Sequence, residues 1–335
     1  MKFKKLIVSL GVVSAFFLST ASTPVLSSEV TIKGASCFPI GSPPGRPFEG
    51  VVKEINSRGK GVIQVKLMGV IQVKLMGGAP AIGSPFTLTQ KMSRGAYDIV
   101  GCTEAYYGNV IPEAPVVRLT SKPAAELRKN GAIAYFAKLL AAKNIHYVGR
   151  HNDFGRFHLW LSKKIDKPDL TGLNLRVAPV YTAFFKKLGA TVQTAPMPKI
   201  YTLMENNTVQ GFGWPAGAFA QPWVKVTKYK VNPGFYTAPL QTLVNLKSWK
   251  ALNSKQQAVI TKVVMEKEAA TEPGNASLAA HLKKNEAMFA KGGMKTIEFT
   301  GADREYWSKT AMDEAWREVK ERSPKHGPAL EKLFR

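Results

Sequence analysis

Arg176 is the side chain best suited to holding a charged ligand. It lies in an apolar run, Leu173–Val177, that reads as a strand, and open α/β sheets bind ligands beyond the carboxyl ends of their strands. A guanidinium presents a planar fork that meets a carboxylate through two parallel, charge-assisted hydrogen bonds. Arg156, 20 residues earlier, is the candidate second contact. Catalytic chemistry has no comparable support. There is no G-x-S-x-G, no H-E-x-x-H and no Gly-rich phosphate loop. The histidines at 146, 151, 158, 281 and 326 are scattered. His151 and Asp153 form the one pair with metal-ligand character, and such pairs are ordinarily core or surface residues. No catalytic residue, metal or cofactor is expected.

The elements that would position Arg176 alternate between strand and helix. Thr31–Ser36 reads as a strand, and Phe48, Val51, Val52 and Ile55 then repeat at the helical period. Val62–Leu67 is a strand, Leu88 and Met92 mark a helix, and Tyr97–Cys102 is a strand. Pro123 opens a long helix carrying Leu127, Ile133, Phe136, Leu139 and Leu140, followed by a strand over Ile145–Val148. The second half continues in the same style. Val180, Phe184 and Leu188 stripe one helix, and Ile200, Leu203 and Met204 another. Strands follow at Val209–Phe212 and Leu240–Leu246. Asn253 or Ser254 caps a helix that Pro273-Gly274 kinks, and Trp307 and Trp316 sit on a final helix. This alternation defines an α/β fold. Residues 61–68, GVIQVKLM, recur unchanged as 69–76. An even shift keeps each side chain on its own face, so the spare copy can leave as a loop or lengthen the strand.

The amino terminus carries an export signature. Lys2, Lys4 and Lys5 precede the apolar run Leu6–Leu18, a small-residue stretch Ser19–Thr23 and a second cleavage zone at Ser27-Ser28. The apolar run is too short for a membrane span, which needs ~20 residues. Removal of residues 1–28 leaves a chain long enough for two domains. The net charge is +24, but Lys and Arg are dispersed, with Lys163-Lys164 and Lys186-Lys187 no more than pairs. That pattern describes a solvated surface with a weak field for anions. Export and dispersion argue against nucleic acid as a partner. Cys37 and Cys102 each follow a strand, so in an oxidising compartment they are either a disulfide or two buried thiols.

Arg176 also sits in a longer pattern. Asp169-Leu-Thr-Gly-Leu-Asn-Leu-Arg176-Val is followed by Leu188-Gly-Ala, Met197-Pro, and Tyr201-Thr-Leu-Met-Glu-Asn-Asn-Thr-Val-Gln-Gly211 up to Pro215. Order and spacing over about fifty residues resemble the extracytoplasmic solute-binding proteins of tripartite ATP-independent periplasmic (TRAP) transporters, the DctP type. Gly95-Ala-Tyr-Asp-Ile99 and Phe154-Gly-Arg156 extend the likeness. The resemblance implies a two-domain α/β fold of the periplasmic binding protein kind (type II), with a ligand cleft between domains. It implies domain I at 29–153 plus 241–281 and domain II at 154–240 plus 282–335. It further implies a periplasmic protein that captures an organic anion through Arg176 and delivers it to small and large membrane permease subunits. An exported enzyme acting on an organic acid, or a binding protein of the ABC type, would share this architecture.

One departure bears on specificity. The family's D-G-x-E-N-P is here Gln210-Gly-Phe-Gly-Trp214-Pro, so Trp214 stands where the family carries asparagine. In the family register Trp214 and Phe212 would both face the cleft, with Tyr236 nearby in sequence. An aromatic wall favours a monocarboxylate with an apolar body, because burying a second, unpaired charge is costly. Trp160 and Trp223 read as core residues.

Overall fold

The computed structural model describes residues 30–59, 63–67, 82–272 and 276–335. The leader at 1–28, the repeat copy at 69–76 and the Pro273-Gly274 kink lie outside the described residues.

Among the described residues, ten strands form one mixed sheet. They are β1 (Val30–Ser36), β2 (Ile63–Leu67), β3 (Ile99–Cys102), β4 (Ile145–Leu161), β5 (Asn174–Val177), β6 (Thr191–Thr194), β7 (Gly211–Pro215), β8 (Tyr229–Asn232), β9 (Phe235–Asn245) and β10 (Lys295–Glu298). The order is β2-β1-β3-β9-β4-β7-β5-β6, with β8 between β4 and β10. Parallel pairing joins β1 to β2 and β3 in one half, and β5 to β6 and β7 in the other. The long strands β4 and β9 run antiparallel between these halves. β4 pairs with β9 from Ile145 to Phe157 and with β7 from Phe157 to Leu161. Its register against β9 shifts at four places, and such irregularities bend a strand and raise its twist. One pair of strands therefore serves two sheet halves, and a two-domain α/β architecture results, as the sequence led us to expect.

Local patterning accounts for most helices. α1 (Arg46–Arg58) buries Phe48, Val51, Val52 and Ile55, the stripe its period predicts. It approaches β3 so closely that a Cβ on Gly101 would lie 2.2 Å from Phe48 Cγ. In α2 (Pro85–Ser93) the Ser84 side chain accepts from the Phe86 amide as N-cap. The long helix expected after Pro123 is instead two, α3 (Ala124–Lys129) and α4 (Ala132–Ala141). Gly131 takes φ 85° between them, a conformation open to glycine at little cost, and Asn130 Oδ1 accepts from the Ala132 amide at 2.9 Å to start the second helix.

α5 (Thr182–Lys187), α6 (Ile200–Glu205) and α7 (Leu246–Ala251) are short. α8 (Ser254–Ala269) begins at Asn253 with a full capping box to Gln256. α9 (Ala276–Lys291) and α10 (Gly301–Arg322) follow, the latter burying Trp307 and Trp316. A further helix absent from the sequence reading, α11 (Gly327–Phe334), returns the chain end to the first half, where Phe334 lies 6.5 Å from the Phe136 ring. The strand expected at Ile145–Val148 runs on to Leu161, and β6, β8 and β10 were not legible as strands. β6 is four residues with no buried position, so it offers no alternation to read.

Cys37 follows β1 and Cys102 ends the neighbouring strand β3, and they form a disulfide with Cα atoms 5.0 Å apart. The adjacency of two parallel strands therefore decides between the two states the sequence left open. Among the described residues no helix is long and apolar enough to cross a membrane.

Candidate functional site

Four strand ends converge on one cavity. Phe38 follows β1, and Thr103, Ala105 and Tyr106 follow β3; Ala178 and Tyr181 follow β5, and Trp214, Pro215 and Ala218 mark the end of β7. The long strands close the space with Phe154 and Phe157 of β4 and Ala238 and Leu240 of β9. The free space between these side chains is small, about 30 Å³, and the wall is almost wholly apolar. This is the placement open α/β sheets favour.

Arg176 stands against this wall, fully buried. Its Nε donates to the Ala195 carbonyl at 2.7 Å and its Nη1 to the Tyr181 hydroxyl at 3.2 Å. The Tyr181 hydroxyl in turn donates to the Gly213 carbonyl at 2.7 Å. The Trp214 ring centroid lies 5.7 Å from the guanidinium carbon. Nη2 is buried with no hydrogen-bond partner. A buried charged donor left unmade is costly, and Tyr106 is a second phenol whose side chain interacts with this guanidinium. Burial pushes the Tyr106 phenol up to about 12, and the Arg176 charge pulls the other way. Burial likewise raises Tyr181 against the same charge. Both phenols therefore stay protonated at neutral pH and present neutral hydroxyls beside the cation.

The other sequence candidates are dispersed. Trp214 lines the cavity and its indole N–H donates to the Ala218 carbonyl at 2.7 Å, leaving ring surface rather than a donor for a ligand. Phe212 does not reach the cavity. It is one step deeper on β7, packed 5.2 Å from Trp223 and 6.1 Å from Phe219, so the strand end admits Trp214 alone. The Tyr236 hydroxyl donates to the Ala311 carbonyl at 2.6 Å, and its ring lies beneath Arg118, outside the cavity lining. Arg156 is exposed on β4 opposite Thr237, and the structure does not bring it to Arg176. Trp160 and Trp223 are core residues, as the sequence suggests; the Trp160 N–H donates to the Trp214 carbonyl at 2.7 Å.

Sequence reasoning missed Phe38, Tyr106, Phe157 and Tyr181 on the wall, and a buried ion pair behind it. Arg118 and Glu104 meet at 2.6 Å with both side chains fully buried. Glu104 Oε2 also accepts from the Thr103 hydroxyl and from Gln241 Nε2, each at 3.1 Å. One signal could have found the wall residues: each follows a predicted strand, except Phe157, which lies on the unrecognised part of β4.

His151 and Asp153 are buried separately. His151 Nδ1 faces the Thr242 hydroxyl at 3.1 Å. Asp153 accepts from the Gly155 amide at 2.9 Å, with Arg150 Nη1 at 3.6 Å. Among the described residues no group of three or more His, Cys, Asp or Glu could hold a metal ion. Burial depresses His151 to about 3 and His158 to about 4, and raises Asp153 to about 6. For the histidines the unfolded chain binds more protons as pH falls below 6.5, so folding loses roughly 2 kcal/mol per histidine by pH 5. Asp153 works in the opposite direction, because its folded form takes up a proton as pH falls through 6. Two groups outweigh one, and the melting temperature is expected to fall between pH 7 and pH 5 at constant ionic strength. A rise over that interval would contradict these placements.

The family model for bacterial extracellular solute-binding proteins of family 7, DctP, matches residues 60–323. The chain belongs to that family. A monocarboxylate 2-oxoacid-binding periplasmic protein of Nostoc sp. is 25% identical over 146 residues, a match spanning 42% of this chain and 40% of that relative's length. Among solved structures, a TRAP periplasmic solute-binding protein from Desulfovibrio salexigens with bound orotic acid shares 19% identity and a TM-score of 0.76, covering 91% of this chain and 97% of that one. One from Sulfitobacter sp. NAS-14.1 with β-D-galacturonate shares 18% and 0.76, covering 91% and 99%. One from Ralstonia eutropha H16 with (S)-2-acetolactate shares 20% and 0.73, covering 91% and 98%. The fold is therefore that of the TRAP periplasmic solute-binding proteins.

Proposed function

We propose that this protein is a periplasmic receptor that captures an organic monocarboxylate with an apolar or aromatic body and delivers it, unaltered, to the small and large permease subunits of a TRAP transporter. In this reading residues 1–28 are removed on export. The cleft lies between a domain of 29–153 with 241–281 and a domain of 154–240 with 282–335. The observation that carries the proposal is Arg176 Nη2, buried and unpartnered beside an apolar cavity. A carboxylate accepting from Nη2 would complete the hydrogen bonding, and the aromatic wall would receive the rest of the solute. The Nostoc relative, which binds monocarboxylate 2-oxoacids, supports the same class.

The test is a thermal-shift panel of organic acids followed by calorimetry, since a ligand that binds the native state raises the melting temperature by mass action. Aliphatic and aromatic 2-oxo monocarboxylates are expected to give the largest shifts. No shift with any carboxylate would remove the proposal. Mass spectrometry of the recovered ligand is expected to show no chemical change, and turnover above background would favour an exported enzyme instead.

Specificity provides a further prediction. The Trp214 ring takes the place of a polar contact, so phenylpyruvate is expected to bind more tightly than succinate. Trp214→Asn should narrow that gap about tenfold or more, by removing aromatic contact area and adding an amide donor. A side-by-side titration in which succinate binds tighter, with the order unchanged in the variant, would exclude this role for Trp214.

A further inference from the structure

We infer that Glu104 sets the number of carboxylates the site accepts: it holds Arg118 in an internal ion pair, so that one net positive charge, that of Arg176, is left for the solute. This rests on the reading of the cavity as a carboxylate receptor. Glu104 lies in the stretch Thr103–Tyr106, three of whose residues line the cavity. Its carboxylate bonds Arg118 Nη2 at 2.6 Å, deep beneath that wall. Arg118 extends from Glu104 towards β9, with its guanidinium carbon 5.8 Å from the Tyr236 ring centroid and its carbonyl accepting from Thr237. Thr237 is adjacent to the cavity residue Ala238. Arg150 and Asp153, further along β4, are matched to each other at 3.6 Å.

The charged side chains at most 1% exposed among the described residues are therefore Arg176 and Arg118 against Glu104. The surplus is one positive charge. In a medium of low polarity, net charge without a counterion is strongly unfavourable. A monocarboxylate brings the cluster to neutrality, whereas a dicarboxylate overshoots by one negative charge. Glu104 thus supplies within the protein the second carboxylate that a dianionic ligand would otherwise bring. Arg118 keeps two further donors, Nε and Nη1, buried without partners. Once the Glu104 charge is removed, the cation is unmatched and has donors available.

The experiment compares two ligands of equal chain length at pH 8, where Asp153 is ionised. 5-Methyl-2-oxohexanoate ends in an isopropyl group where 2-oxoglutarate ends in a carboxylate. Calorimetry on the full protein is expected to show the monocarboxylate preferred by at least about tenfold, a factor equal to one 1.4 kcal/mol step. In Glu104→Gln, whose amide oxygen can still accept from Thr103 and Gln241, the surplus becomes two and the preference should fall by about tenfold or reverse. In Glu104→Gln/Arg118→Gln the surplus returns to one, and the monocarboxylate preference should return with it. The double variant also covers a single variant that fails to fold, since neutralising both members of a buried pair is tolerated better than breaking it. If the wild type binds the monocarboxylate preferentially but Glu104→Gln leaves the ratio unchanged, or the double variant loses the preference, the role of Glu104 is overturned while the receptor stands. If the wild type binds neither acid or prefers 2-oxoglutarate, the monocarboxylate reading fails, and this inference with it.

Discussion

Arg176→Ala is expected to lose most of the affinity for the carboxylate, by about 2–5 kcal/mol, because it removes the buried partner of a ligand charge. The neutral Tyr106 and Tyr181 hydroxyls cannot supply its charge, and Tyr181 already donates to Gly213. Arg176→Lys should also weaken binding markedly. An ammonium is a point charge without the fork, and it cannot reach Ala195, Tyr181 and a ligand in one plane. The same geometry predicts the opposite effect on the empty protein. A fully buried cation with one unpartnered nitrogen is a cost in the absence of ligand, so Arg176→Met, close in volume and uncharged, should melt at a higher temperature than the unliganded wild type. Calorimetry and thermal melts of the same samples would measure both effects. An unchanged dissociation constant for the alanine variant would refute the assignment. A methionine variant that is both less stable and fully able to bind would refute the electrostatic argument behind it.

Reduction of the disulfide should have an effect of similar size on folding. Cys37–Cys102 closes a separation of 65 residues, and the chain-entropy model assigns about 4 kcal/mol to a loop of that length. For a chain this long that corresponds to a fall in melting temperature of about 6 °C. Function should suffer as well. The two half-cystines immediately precede Phe38 and Thr103, which line the cavity, so the bond ties together two wall segments at their bases. Cys37→Ala/Cys102→Ala is the sharper probe, because it removes the cross-link without a reductant. Equal melting temperatures with and without the bond would show that strand pairing between β1 and β3 alone supplies the constraint.

Local patterning settled a good deal of this protein. The apolar period of 48–55 marked α1, Asn253 marked the start of α8, and the run ending near Arg176 marked β5, because each depends on neighbours a few residues apart. The long central pattern identified the family and pointed to Arg176. The wall of the site was another matter. Phe38, Tyr106, Tyr181 and Trp214 come from four strand ends far apart in sequence, and only the order of strands in the sheet brings them to one cavity. Arg118 and Arg156 show the same limit from opposite sides. In a chain with dispersed positive charge, an arginine reads as a solvated cation unless a motif marks it. Arg118 is instead fully buried against Glu104, while Arg156, which a motif did mark, is exposed on a strand that bends at that point. Periodicity states which face of an element is apolar. It does not state which element covers that face, and burial and charge pairing are properties of that second fact. The tertiary structure therefore decided that Cys37 meets Cys102, that Trp214 reaches the cavity while Phe212 stops short, and that Arg176 is left with a hydrogen bond to give beside that cavity.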